Sequence, residues 1–318
     1  MKNSHLFALN LVTCAVLTAC SGGSTSTDTE APIQIPDATT PVEKVFTVLQ
    51  GNDLNRLGHP LLSENPGGPG GSPNQSLRAT DVLHAEAGVD SLLIGALGAD
   101  VLVGNSGDDI LIGGTEDFNT SVDGDDRGAD NRDRAFGNAG EDTFIWTPGD
   151  GSDYFDGGEG TDVLILGLLG EERDNNGLTD GAPFFNVSPP GTPGSQDFDG
   201  IFLNAQNQPQ VNVSGSPGFC SVVDRSDEPE TLEALRLDAL VRFTLRGVAN
   251  AFDAGSRTDD DGLRVTLNTD GVEFVVCAKR EVLADGGLDN IEVLDLRTQP
   301  PSLAQISDLP EYVQQLLQ

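Results

Sequence analysis

A short repeat limits what this chain can fold into more than any other feature. Six segments carry the pattern Gly-x-Asp-x-(Leu/Phe): Gly88-Val89-Asp90-Ser91-Leu92, Gly98-Ala99-Asp100-Val101-Leu102, Gly107-Asp108-Asp109-Ile110-Leu111, Gly140-Glu141-Asp142-Thr143-Phe144, Gly151-Ser152-Asp153-Tyr154-Phe155 and Gly160-Thr161-Asp162-Val163-Leu164. Two half-matches, Asp81-Val82-Leu83 and Asp133-Arg134-Ala135, precede the two groups. The aspartates fall 9, 10 and 9 residues apart in the first group and 9, 11 and 9 in the second. A further glycine follows each short apolar run, at Gly95, Gly104, Gly113, Gly137 and Gly157. Self-similarity at a fixed period marks a coiled, repetitive architecture.

Three residues such as Ile110-Leu111-Ile112 make a short strand, and the six around the glycines make a turn. Glycine serves where φ is positive or where backbones approach closely. Alternation turns the middle residue inward, so Leu83, Leu92, Leu102, Leu111, Phe144, Phe155 and Leu164 are expected to stack as one apolar ladder. Nine residues then make half a coil, and two repeats a full turn of a right-handed parallel roll. Each turn aspartate sits above the one two repeats away. Turns that offer only oxygen, stacked at the ~4.8 Å strand spacing, suit a hard cation such as Ca²⁺. Without the ion, aligned carboxylates repel one another.

These segments resemble the hemolysin-type (RTX) calcium-binding nonapeptide, Gly-Gly-x-Gly-x-Asp-x-apolar-x. The closest units are Gly113-Gly114 and Gly157-Gly158-Glu159-Gly160-Thr161-Asp162-Val163-Leu164-Ile165. The resemblance implies a parallel β-roll with Ca²⁺ between neighbouring turns on each edge. It implies ligation by Asp90, Asp100, Asp109, Asp142, Asp153 and Asp162, with Asp81 and Asp133 of the half-matches as further candidates. Backbone carbonyls of the turn glycines would complete the shells: Gly88, Gly95, Gly98, Gly104, Gly107, Gly113, Gly140, Gly151, Gly157 and Gly160. The implied pairs are Asp81 with Asp100, Asp90 with Asp109, Asp133 with Asp153, and Asp142 with Asp162. An acidic insertion, residues 115–132, interrupts the array. Either it bulges outward and leaves the stack intact, or the two groups are separate short rolls.

The charge is concentrated where an ion site needs it. The chain of 318 residues carries 51 acidic and 17 basic side chains, a net charge of −34. Residues 81–165 hold 20 acids and 3 arginines, a net of −17, which a uniformly acidic surface does not produce. The scarcity of Lys and Arg argues against nucleic acid as a partner. Abundant Asp and Gly argue against a helical bundle.

The N-terminus predicts export. Met1-Lys2-Asn3 is a short basic start, and residues 6–19 form an apolar run too short to span a bilayer, as in a signal peptide. It ends Leu17-Thr18-Ala19-Cys20 and continues Ser21-Gly22-Gly23-Ser24, which resembles the lipobox of bacterial lipoproteins. That resemblance implies lipidation of Cys20, with Ser21 favouring the outer membrane; an ordinary cleaved signal with an incidental cysteine is the alternative. Many family members instead leave the cell through an exporter that reads a C-terminal signal. Residues 20–43, rich in Ser, Thr, Gly and Pro, read as a flexible tether. Once Cys14 leaves with the signal and Cys20 is lipidated, Cys220 and Cys277 remain. In an exported chain they are expected to form a disulfide, with two buried thiols as the alternative.

The expected architecture is all-β. Residues 44–80 supply a strand at Val45–Leu49 and a loop that caps the roll, residues 81–165 the roll, and 166–318 a β-rich domain that packs on it or covers its end. Strand-like runs there are 201–203, 210–213, 219–223, 241–245, 263–267, 272–276 and 291–296. Asn268-Thr269-Asp270-Gly271 reads as a hairpin turn. Short helices are expected at 229–239, capped by Ser226 or Asp227, and at 309–317. Glu172–Gly177 and Asp259–Gly262 read as charged turns. His59 and His84 are too few for a histidine zinc site, and no G-x-S-x-G elbow, Walker loop or Rossmann fingerprint occurs. The sequence therefore points to a non-enzymatic, lipid-anchored calcium-binding protein of the cell envelope, structural or adhesive, with a possible glycan or cell-surface partner. The alternative is an enzyme acting on polysaccharide through residues 166–318, with the roll as its stabiliser.

Overall fold

A computed structural model describes residues 44–51, 81–96, 99–114, 132–148, 150–169, 171–173, 198–201, 203–246, 264–284 and 286–317. The signal segment, Cys20, the tether, Gly98, His59, the insertion up to residue 131 and the Asp259–Gly262 turn lie outside them. No helix among the described residues is long and apolar enough to cross a membrane.

In chain order the first strands are β1 (Thr47–Gln50), β2 (Val82–His84), β3 (Ser91–Ala96), β4 (Val101–Val103) and β5 (Ile110–Gly114). Then come β6 (Arg134–Gly140), β7 (Thr143–Trp146), β8 (Tyr154–Gly160) and β9 (Val163–Leu166). Two short pairs follow, β10 (Leu168–Leu169) with β13 (Val211–Asn212) and β11 (Glu171–Arg173) with β12 (Phe198–Ile201). The last strands are β14 (Gly218–Asp224), β15 (Ala239–Leu245), β16 (Arg264–Asp270), β17 (Phe274–Ala278), β18 (Ile291–Asp295) and β19 (Ser302–Ala304). Helices α1 (Pro229–Leu235) and α2 (Glu311–Leu316) are both short.

From β2 to β9 the chain alternates between two sheets. One has the order β1-β3-β5-β7-β9-β17-β18-β19, the other β14-β15-β16-β8-β6-β4-β2. Strands β1 to β9, with β16 and β17, pair in parallel as rungs of a roll. Strands β14, β15, β18 and β19 then extend each sheet antiparallel. Pairing of β4 with β6 and of β5 with β7 carries both sheets across the insertion, so there is one stack and not two rolls.

The central strands of the first sheet, β5, β7, β9 and β17, are buried on both faces, and their sequences are accordingly near-continuous apolar runs. Between the sheets lie Leu93, Leu102, Leu111, Ala135, Phe144, Phe155, Leu164 and Val275. On the outer face, Leu92, Ile94, Ile110, Ile112, Val163 and Phe274 pack under Tyr312, Val313 and Leu316 of α2. The Tyr312 hydroxyl meets Thr143 Oγ1 at 2.8 Å and donates to the Glu141 carbonyl, which ties α2 to a roll turn. The expected ladder is thus corrected at one step: Leu92 pairs with Ile110 and faces outward, and Leu93, opposite Leu111, faces in.

Two more expectations change. Residues 268–271 do not close a hairpin: β16 joins β8 in one sheet and β17 joins β9 in the other, so this is another roll turn. Helix α1 stops at Arg236, whose left-handed backbone (φ 60°) returns its N–H to the Glu233 and Leu232 carbonyls, and Ala239 already begins β15. Ser226 does not cap it; its N–H and hydroxyl close on Asp224 Oδ1. Cys220 of β14 and Cys277 of β17 are joined, Cα atoms 6.0 Å apart, and stitch the two sheets across the interior. At a sequence separation of 57 the link stabilises by about 4 kcal/mol in the chain-entropy model.

Candidate metal centre

The roll has two edges, and each carries a column of carboxylates at the entry to successive strands. On the first edge the Asp81 N–H donates to Asp100 Oδ1 (2.8 Å), Asp100 N–H to Asp133 Oδ1 (2.6 Å) and Asp133 N–H to Asp153 Oδ1 (2.8 Å). On the second, Ser91 N–H donates to Asp109 Oδ1 (2.8 Å), Asp109 N–H to Asp142 Oδ1 (2.7 Å) and Asp142 N–H to Asp162 Oδ1 (2.8 Å). Asp162 N–H ends that column on Glu273 Oε2 (2.7 Å). One oxygen of each accepting carboxylate is thus spent holding the preceding rung in register.

The second oxygen faces a cage. A methyl built on Gly104 would lie 2.6 Å from both Asp109 Oδ2 and the Gly137 carbonyl oxygen. The same juxtaposition recurs beside Gly137 with Asp142 and the Gly157 carbonyl, beside Gly157 with Asp162 and the Gly271 carbonyl, and beside Gly95 with Asp100 and the Gly113 carbonyl. The missing Cβ is what leaves the space. Gly140 and Gly160 do other work: with φ of 145° and 150°, each packs its bare Cα on a carbonyl of the neighbouring rung, Gly107 and Gly140 respectively. The Gly151 carbonyl accepts the Trp146 indole N–H, and Gly88 stands in open space at φ 73°.

Asp90 is the one aspartate out of register. Its turn is a residue longer, so Ser91 takes the column position and Asp90 Oδ1 accepts the Asp108 N–H at 2.9 Å. Asp108 in turn accepts the Glu141 N–H (2.8 Å) and pairs with Lys44, which makes a second ladder outside the first. The implied pair of Asp90 with Asp109 is therefore replaced by Ser91 with Asp109; the other three pairs lie together as expected. Two acidic residues escaped the sequence analysis. Glu273 sits in Gly271-Val272-Glu273-Phe274-Val275, the repeat with Glu in place of Asp, a signal that was legible. Asp150 occupies a variable position, marked only by the 11-residue spacing around it.

The column aspartates are buried: Asp100 and Asp133 are 1% exposed, and Asp109, Asp142, Asp153 and Asp162 are 0%. Burial, and then the carboxylates of Asp162 and Asp109, push Asp142 up to about 8. Burial, with Glu273 and Asp156 nearby, pushes Asp162 up to about 7. Asp109 and Glu273 rise for the same main reason. The Oδ2 atoms of Asp133, Asp142 and Asp162 accept no hydrogen bond. Buried anionic oxygens without donors, set beside carbonyl oxygens, fit a hard dication and little else.

Fold and site together define a calcium-binding β-roll. Comparison with protein families agrees: the RTX calcium-binding nonapeptide repeat, four copies, matches residues 92–117 and 149–168. The rungs at Asp133 and Asp142 lie outside the matched residues yet stand in register with those inside. Neither the curated proteins nor the solved structures gave a match.

Filling one cage tests the geometry. Gly104→Ala places a methyl between Asp109 and Gly137, and such overpacking costs about 1–3 kcal/mol. We expect it to lower both the melting temperature and the rise that calcium produces, measured by thermal denaturation with and without the ion. An unchanged calcium effect would remove the cage from the site.

Proposed function

We propose that the protein is an exported calcium-binding protein held at the cell envelope by a lipid on Cys20, with a structural or adhesive role and no catalytic activity. The observation that carries this is the recurring pairing of a buried carboxylate oxygen with a glycine carbonyl of the next rung, the oxygens of Asp142 and Asp162 having no hydrogen-bond donor. Repeats of this class typically belong to secreted proteins, which agrees with the apolar N-terminal segment ending in Ala19-Cys20. The stiff roll would stand off the membrane on the tether of residues 20–43, where a glycan or cell-surface partner can reach it.

Calcium added to the stripped protein is expected to change the far-ultraviolet circular dichroism as the roll completes; an unresponsive spectrum would end the proposal. For the anchor, Cys20→Ala is expected to move the protein from the membrane to the soluble fraction.

The enzymatic alternative would need converging free carboxylates within residues 166–318. A cavity of about 200 Å³ is lined by Asp224, Asp238, Glu273 and Arg297. Each of its acids has a structural partner: Asp224 closes the Ser226 turn through Oδ1, its Oδ2 being buried without a hydrogen bond, Asp238 pairs with Arg225, and Glu273 ends a roll column.

A further inference from the structure

We propose that Asp133, Asp150 and Asp153 form a three-carboxylate calcium site, the tightest of the array, in which Asp150 is a ligand added from outside the repeat pattern. It rests on the calcium-binding function above and identifies which site dominates.

On the first edge the turn from β7 to β8 departs from the repeat. Ile145 lies opposite Ile112, so Trp146 stands where Gly113 stands on the rung before. The stretch from Trp146 to Asp153 is seven residues, against five from Gly95 to Asp100. The longer turn folds Asp150 inward. Its N–H donates to the Thr147 carbonyl (3.1 Å), and its Oδ2 accepts the Gly114 N–H of the previous rung at 3.1 Å. Trp146 pins the turn through its indole N–H to the Gly151 carbonyl at 3.0 Å.

The result brings one oxygen from each of Asp133, Asp150 and Asp153 within 4.8 Å of the others, in a place where all three residues are buried. Calcium takes oxygen at about 2.3–2.6 Å, so ligands on opposite sides of one ion stand about 5 Å apart. A second observation points the same way. Asp133 Oδ2 is buried and accepts no hydrogen bond, and the three atoms nearest the bare side of Gly113 all belong to Asp133. At the regular rungs a neighbouring glycine carbonyl comes up to that space; here Asp150 supplies an oxygen that carries charge. Three buried carboxylates so close together stay ionised together only with a cation between them. Because calcium affinity rises with the number of charged ligands and the rigidity of the site, this rung should fill first.

The chain's single tryptophan, Trp146, lies in this turn and makes the site separately readable. Full-length protein is titrated with Ca²⁺ by calorimetry, and with Tb³⁺ by luminescence excited through tryptophan. The wild type is expected to show one tight step and a Trp146-sensitised Tb³⁺ signal that saturates first. Asp150→Asn keeps the shape and should weaken both by about tenfold or more, whereas Asp142→Asn, on the other edge, should remove a different step and leave the sensitised signal in place. Asp150→Ser repeats the comparison, and melting curves of the ion-free variants show that each folds. An unaltered tight step and sensitised titration in both Asp150 variants, with calcium still bound elsewhere, overturns the three-carboxylate site alone. A wild type that takes up no calcium overturns the array as well.

Discussion

Removing calcium is expected to lower the melting temperature by roughly 15–30 °C. The ion-free roll brings carboxylates together on both edges, and the Oδ2 atoms of Asp133, Asp142 and Asp162 have no donor to replace the water lost on folding. A ligand that binds only the folded state at a hundredfold excess over its Kd stabilises by about 2.7 kcal/mol per site, and three such sites give roughly 8 kcal/mol. For a folded unit of this size each kcal/mol moves the midpoint by about 2–4 °C, which sets the expected range. The stacking itself does not depend on the ion alone, because apolar columns such as Leu93, Leu111, Phe144 and Leu164 run the length of the roll. The Cys220–Cys277 link further restrains the far end. The ion-free protein should therefore melt early and remain partly ordered. Scanning calorimetry with and without a chelator measures the shift, and a midpoint indifferent to calcium would contradict the site.

Much of this was legible because the repeat encodes it twice, once in glycine-bearing turns and once in aspartates that recur at half a coil. Where only one signal spoke, the sequence misled. Leu92, Leu93 and Ile94 are all apolar, so alternation could not say which of the first two faces inward, and the alignment of Asp90 followed the wrong one. The deciding fact is non-local: Leu92 opposes Ile110, and Ser91 N–H reaches Asp109. Likewise Asn268-Thr269-Asp270-Gly271 has the residues of a hairpin turn because a roll turn asks for the same conformations. The difference lies in strand partners far away in sequence. The outer face of the first sheet was invisible for a third reason. Its cover, Tyr312, Val313 and Leu316, arrives from the end of the chain and leaves no mark on the repeats.

Without calcium, stability is expected to fall as pH rises from about 4 to about 8, the reverse of an ordinary acidic protein losing salt bridges in acid. In the unfolded chain Asp142 and Asp162 ionise near 3.8; in the ion-free fold burial raises them to about 8 and about 7. Between those limits the folded state holds protons that the unfolded state has released, so each step up in pH favours unfolding. The stabilisation is whole below the unfolded value and gone once pH exceeds the folded one. Its size, taken over both groups, is on the order of several kcal/mol. Calcium reverses the dependence because it takes the place of the proton. Binding must displace protons from these two carboxylates, so apparent affinity should climb from pH 6 to pH 8 while the ion-free fold weakens. Melting curves across that range, in chelator and in saturating calcium, should diverge steadily toward alkaline pH. Parallel curves would show that Asp142 and Asp162 carry no proton in the ion-free fold, and that the second oxygen of each carboxylate is satisfied by something other than the dication.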